Sequence, residues 1–246
     1  GAQAIAAMAY GTDSVPRCDK IFGPGNAWVT AAKQRVSADP HGAAIDLPAG
    51  PSEVLVLADD AADPEYIAAD LLAQAEHSPD AQALLVTDSA AQAQRVGREI
   101  AVQVGDLSRR EILVSSVANI RLIVAPDLAT AVAIANRHAP EHLIVQVREP
   151  RAWLDRIQHA GAIFLGAWSP ESVGDYCGGP NHTLPTYGYA RAYSGLGLED
   201  FQKRISVQEL TRQGLASLAP ATIALARMEG LDAHAQAVLR RLKALP

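Results

Sequence analysis

Short apolar runs of strand type alternate with longer amphipathic stretches of helix type along most of this chain. No other feature restricts its fold as much. Strands separated by helices cannot pair through tight hairpins and must return in the same direction, so the pattern predicts an α/β fold with a mainly parallel sheet. Residues 53–58, 83–87, 122–124, 142–147 and 162–165 read as strands, and 20–22 as a further short one. Residues 27–36, 64–77, 89–104 and 127–137 read as the intervening helices, with Asp63 and Pro64 supplying the cap and first turn of the second. After the run Tyr187-Gly188-Tyr189-Ala190 the pattern changes to a short helix near 199–203, a short strand around 205–207, and helices over 220–228 and 231–245. The expected architecture is a Rossmann-like sheet flanked by helices, with a small C-terminal helical appendage. The expected segments are 1–52, 53–197 and 198–246.

Several classes of function are excluded by charge and composition. With 21 basic and 27 acidic side chains the formal charge is −6, which gives no electrostatic attraction to nucleic acid or to an anionic membrane. No apolar run approaches the roughly 18 residues of a spanning helix, and the first residues lack the basic flank of a signal peptide. Cys18 and Cys177 lie far apart and in no C-x-x-C pair, so neither a disulfide framework nor a thiolate zinc site is indicated. A reducing cytoplasm is the simpler compartment. The chain opens in a helical pattern without a capping residue or an initiator Met, and so reads as the later part of a longer protein.

The candidates for chemistry lie on segments of different kinds. Ser172 to Thr186, with Asp175, Tyr176, Asn181 and His182 among glycines and prolines, is too punctuated for a helix or a central strand and reads as a shaped loop. Its plainer reading is a surface loop whose Asx side chains cap turns. Gln74 and His77 are three apart on one predicted helix face, a spacing that suits either a shared ion or a polar helix end. Glu141 and His142 stand where a helix gives way to a strand, and neighbours on a strand point to opposite faces, so the two cannot both be ordinary core residues. They could form a proton-transfer pair or a simple helix exit. His234, flanked by Glu229 and Asp232, lies in an amphipathic helix where a solvated histidine is the usual reading. Gly23-Pro24-Gly25-Asn26 could admit a phosphate or ribose to a helix N-terminus, although it matches no nucleotide-binding fingerprint. Gly50-Pro51-Ser52-Glu53 is a similar turn with a hydroxyl. His41, His138 and His159 suggest no grouping, and Trp153 and Trp168 read as packing residues. Together these residues describe an N/O metal site around Asp175 and His77, suited to zinc, manganese or a similar ion, beside a Glu-His pair.

In order along the chain, KIFGPGN, IDLPAGPSEVLVLAD, DLLAQAEHSPDA, APEHLIV, AGAIFLG, SPESVGDYCGGPNHTLPTYG and ARMEGLDAHAQAV resemble the histidinol dehydrogenases. The resemblance implies zinc- and NAD-dependent oxidation of L-histidinol to L-histidine through the aldehyde, in two hydride transfers. It implies Gln74, His77, Asp175 and His234 as zinc ligands and His142 as the base for the alcohol proton. Glu141 would activate the water that hydrates the aldehyde. Ser52, His182 and Glu229 would hold the substrate, with the four ligands and the Glu-His pair also facing it, and Gln3 and Asn26 would contact NAD. Zinc is redox-inert, so a separate hydride acceptor is required. The family also implies a homodimer in which His234 and Glu229 act in the other subunit, and an N-terminal portion, with part of the nucleotide-binding scaffold, that this chain lacks. Two other readings of the residues remain: a metal-dependent hydrolase, and a non-catalytic metal-binding or dimerisation module.

Overall fold

The structure, a computed structural model, describes residues 1–48 and 50–243. It contains two compact units, residues 1–201 and 202–246. The first begins with helix α1 (Ala2–Tyr10), strand β1 (Lys20–Ile21), helix α2 (Ala27–Ser37) and strand β2 (Ala44–Ile45). The two short strands pair in parallel, and Ile5, Ala9, Ile21, Val36 and Ala43 bury a small core against them. Asn26 caps α2 by accepting the Val29 N–H, which stops the helix at the glycine turn before it.

The main sheet is built from β3 (Glu53–Ala58), β4 (Gln82–Thr87), β5 (Arg121–Val124), β6 (His142–Gln146) and β7 (Ala162–Leu165). Its order is β5-β4-β3-β6-β7, every pairing is parallel, and the chain belongs to the α/β class expected from the alternation. The central β3 is buried along its whole length, whereas β5 and β7 at the edges are largely open. Strand residues alternate between faces. Val54, Val56 and Ile144 pack against α3 (Pro64–Ala75) and α4 (Ala90–Gln103). Leu55, Leu57, Leu143 and Val145 pack against α6 (Leu128–His138) and the partly buried Trp153. Two apolar layers thus clamp the sheet and hold the beginnings of β3 and β6 side by side, Val54 opposite His142.

Several expectations need correction. Helix α5 (Arg110–Ser116) forms where no element was expected, with Leu113 seated under α3. The punctuated segment begins with a short helix, α7 (Glu171–Tyr176), because Gly178, Gly179 and Pro180 cluster after Tyr176 and only Gly174 falls before that point. Trp168 is 87% exposed and packs no core. In the second unit residues 205–207 form no strand, lacking any partner strand there, and α8 (Arg212–Met228) starts eight residues earlier than expected. Pro220 lies inside that helix: its fixed φ suits helical backbone, and the alanine-rich turns around it absorb one missing hydrogen bond. Helix α9 (Asp232–Leu242) follows; residues 244–246, the end of the helix expected over 231–245, lie outside the described residues. No helix among the described residues is long and apolar enough to cross a membrane.

Candidate active site

The chemistry-bearing side chains gather at the amino ends of the strands. Ser52 immediately precedes β3, Glu141 and His142 open β6, and α3, running back against the sheet, delivers Gln74 to the same edge. His77 lies two residues beyond the end of α3, not within it, and its Nδ1 meets the Ala73 carbonyl at 3.1 Å. Helix α7 returns Asp175 to this edge, where its carboxylate oxygens are 3.9 Å from His77 Nε2 and 3.7 Å from His142 Nε2. Ser52 Oγ donates to Glu141 Oε2 at 2.7 Å and reaches Gln74 Oε1 at 3.4 Å. Glu141 Oε2 also accepts the Glu53 main-chain N–H at 2.9 Å. Six residues singled out from sequence, Ser52, Gln74, His77, Glu141, His142 and Asp175, therefore form one cluster. Exposed His182 stands close enough for its charge to be felt at His142.

Burial sets the protonation of this cluster. Glu141 is 7% exposed, and desolvation, with the charges of Glu53 and Asp175, raises its pKa to about 8 against the hydrogen bonds from Glu53 and Ser52. Burial holds His142 well below the ordinary imidazole value, only partly opposed by the nearby Asp175 carboxylate. At neutral pH the imidazole is thus uncharged and free to accept a proton. Neither of its ring nitrogens, nor Gln74 Nε2, has a hydrogen-bond partner, although all three are buried.

An acid that the sequence reading did not include completes the floor. Glu171, 1% exposed, places Oε2 at 3.5 Å from His142 Nδ1, and burial followed by the charges of Asp175, Asp70 and Glu141 raises its pKa to about 9. Its spacing of four from Asp175 puts both on one helix face, a signal available only once α7 is known to be a helix. Beside it Asp70, raised by burial to about 7, accepts a hydrogen bond from Gln146 at 2.8 Å.

The donor set suits a divalent cation of borderline softness. Gln74 is wholly buried yet under-bonded, His77 and Asp175 converge from two elements, and the α3 C-terminus adds partial negative charge. Among the described residues no three His, Cys, Asp or Glu side chains form a ready-made metal cage, so a protein site here requires the amide and a further ligand. His234 lies on α9 and Glu229 caps α8, both exposed within the second unit.

A large cavity, about 1020 Å³, adjoins this cluster without containing it. Asn26, Gly50, Pro51, Ser78, Arg121 and Tyr187 line it, so the glycine turn before α2 and the turn before Ser52 face the same space. Gln3 is exposed on α1 and is not among its walls. Buried Lys33 holds the shape of the glycine turn by pairing with Asp46 and donating to the Gly23 carbonyl, while Asp46 Oδ2 accepts the Gly23 N–H at 2.7 Å.

Comparison with known proteins places these features in context. A family profile described as histidinol dehydrogenase matches residues 1–242. Histidinol dehydrogenase of Aliivibrio fischeri is 58% identical over 245 residues, the whole of this chain and 56% of the relative. That of Xylella fastidiosa is 58% identical over 246 residues, again all of this chain and 57% of the relative. The crystal structure of histidinol dehydrogenase from Elizabethkingia anophelis superposes with a TM-score of 0.94 at 47% identity, covering 98% of this chain and 55% of that one. The chain therefore spans a little over half the length of the relatives it matches.

Proposed function

Since the chain belongs to the histidinol dehydrogenase family, we propose that it carries the chemical half of an oxidoreductase that converts L-histidinol to L-histidine through L-histidinaldehyde in histidine biosynthesis. The observation that carries this reading is the meeting of a neutral imidazole and a high-pKa carboxyl, His142 and Glu141, beside Ser52, Gln74, His77 and Asp175. An alcohol oxidation needs a base for the hydroxyl proton as hydride leaves carbon, and uncharged His142 meets that need. Oxidation of the aldehyde needs a water molecule added first. Glu141, in its carboxylate form, takes the proton of that water, so this step is expected to quicken as pH rises through about 8. Ser52 fixes the Glu141 carboxyl, and Ser52, His182 and Glu229 hold the substrate's polar groups.

Gln74, His77, Asp175 and His234 would hold a zinc ion, whose chemistry when bound is to gather the substrate's nitrogens and polarise the reacting oxygen. NAD would accept the hydride, contacted by Gln3 and by Asn26 at the large cavity. Residues 1–52 would form part of the nucleotide-binding scaffold, 53–197 the body that carries the chemistry, and 198–246 the helices that complete the site of a homodimeric partner. The free thiols of Cys18 and Cys177 fit a cytoplasmic enzyme.

The test uses the chain joined to the further length its relatives carry and loaded with zinc. Histidinol should then drive NADH formation that a chelator abolishes and added zinc restores. Turnover of an ester or amide without NAD, or tight zinc binding with no NADH at all, would overturn the reading.

A further inference from the structure

Resting on that reading, the protein faces a problem of proton disposal. Each oxidation removes a hydride from carbon and leaves a proton from oxygen behind, and the acid product ionises to release another. His142 and Glu141, which take these protons, are 3% and 7% exposed.

A second titratable group stands beside Glu141: Glu53 and Glu141 each come one residue before the paired Val54 and His142. Glu53 is 2% exposed and alternates with Leu55 and Leu57, so it belongs to the α6 face, whereas His142 belongs with Ile144 to the α3 face. The two acids are interlocked: the Glu53 N–H donates to Glu141 Oε2 at 2.9 Å, and the Glu141 N–H faces the Glu53 carboxylate. His138, the last residue of α6, brings Nε2 to 3.6 Å from Glu53 Oε2, and its side chain is 25% exposed. Neither Glu53 Oε1 nor His138 Nε2 has a hydrogen-bond partner, an uncommon state for buried atoms.

The backbone around this pair is strained. Among the described residues Ala139 and Tyr187 alone, apart from glycine, have positive φ, 57° and 54°. The turn at Ala139 is what bends the chain so that His138 and Glu141 both reach Glu53. Tyr187 and Gly188 aim their N–H groups at the Glu53 carboxylate, and Arg191, whose charge bears on His138, ties the same loop to the carbonyls of Gly188 and Arg137. Strain of this kind persists where surrounding contacts enforce it, and it concentrates at functional positions.

We propose that Glu53 and His138 form a proton outlet that carries protons from Glu141 through the amino edge of the sheet to solvent on the α6 side. In each transfer one bond to hydrogen breaks as the next forms. The Glu141 carboxyl gives its proton to the Glu53 carboxylate, protonated Glu53 gives its own to Nε2 of neutral His138, and the imidazolium loses a proton from Nδ1 to water or buffer. Burial, with the charge of Arg191, keeps His138 below its ordinary pKa, so the imidazolium readily gives its proton up to water, while burial lifts Glu53 to about 7 and lets it take up a proton near neutral pH.

The experiment uses the zinc-loaded protein with the further length its relatives carry, assayed with histidinol and NAD at low buffer concentration. The parent protein must first turn over; if it does not, the dehydrogenase reading fails rather than the outlet. In an active parent, His138→Gln should lower kcat roughly 10- to 100-fold with little change in KM, and added imidazole should restore it in proportion to the free base. Glu53→Gln should show a similar loss that imidazole does not repair, because the break lies inside the protein. His41→Gln, at an exposed loop position, serves as the control that leaves kcat unchanged. A His138→Gln protein with the parent kcat, or one whose loss imidazole leaves untouched, overturns the outlet.

Discussion

At the scale of single residues, the site is dominated by carboxyl groups buried beyond the reach of water. Glu53, Asp70, Glu141 and Glu171 all have pKa values raised by desolvation, to about 7, 7, 8 and 9. A group whose folded pKa exceeds its unfolded value binds more protons in the native state, so the stability it favours is present below the unfolded pKa and drains away as pH climbs through the folded one. The metal-free protein should therefore lose resistance to urea between about pH 5 and pH 9, and Glu171→Gln should flatten that decline, most visibly at the alkaline end. Equal slopes in the two proteins would show that Glu171 is ionised at no cost. The sequence made only part of this cluster legible. Gln74 and His77 announced themselves through a spacing of three, and Glu141 and His142 through adjacency at a strand start. Glu53, Glu171 and His138 did not, because an acid before a strand or a histidine at a helix end is commonplace until tertiary contacts bury it.

At the scale of elements, the strand starts do the positioning. Gly161 donates its N–H to the Pro140 carbonyl at 2.9 Å, bringing the beginning of β7 against the beginning of β6. A Cβ added at Gly161 would lie 2.6 Å from the Glu141 carbonyl oxygen, a main-chain atom that cannot swing aside. Gly161→Ala is thus expected to shift the Glu141 backbone and cut kcat by about a hundredfold, the effect of misplacing a catalytic group by an ångström or so. Gly179→Ala, where a Cβ meets nothing within 4 Å, should be silent. Circular dichroism on both variants separates displacement from unfolding. Helices and strands with a clear pattern were legible, since β3 and β6 carry the apolar runs Val54–Ala58 and Leu143–Val145 and α3 and α6 have Asp caps before their first turns. What was obscure was short or broken by its own composition: α7 opens a glycine-rich segment, and α8 runs through Pro220.

At the scale of the whole molecule, the proposed function asks which subunit each ligand of the site comes from. If His77 and His234 serve the same centre from different subunits, His77→Ala and His234→Ala should each be inactive alone, while a mixture allowed to exchange subunits should recover about a quarter of the parent rate through hybrid dimers with one intact centre. No recovery on mixing, after exchange has been verified by mass, would place both histidines in one subunit. The sequence suggested this arrangement only through resemblance, since no periodicity can say which copy a side chain will serve. Open parallel sheets commonly take their ligands at the carboxyl ends of the strands. Here the acids and imidazoles cluster at the opposite rim, so Asp59, Asp88 and Arg148, which follow β3, β4 and β6, sit apart from the reacting groups. Loops on that far rim are free to lengthen, drift in sequence or carry a fluorescent label while the reaction proceeds undisturbed on the other side.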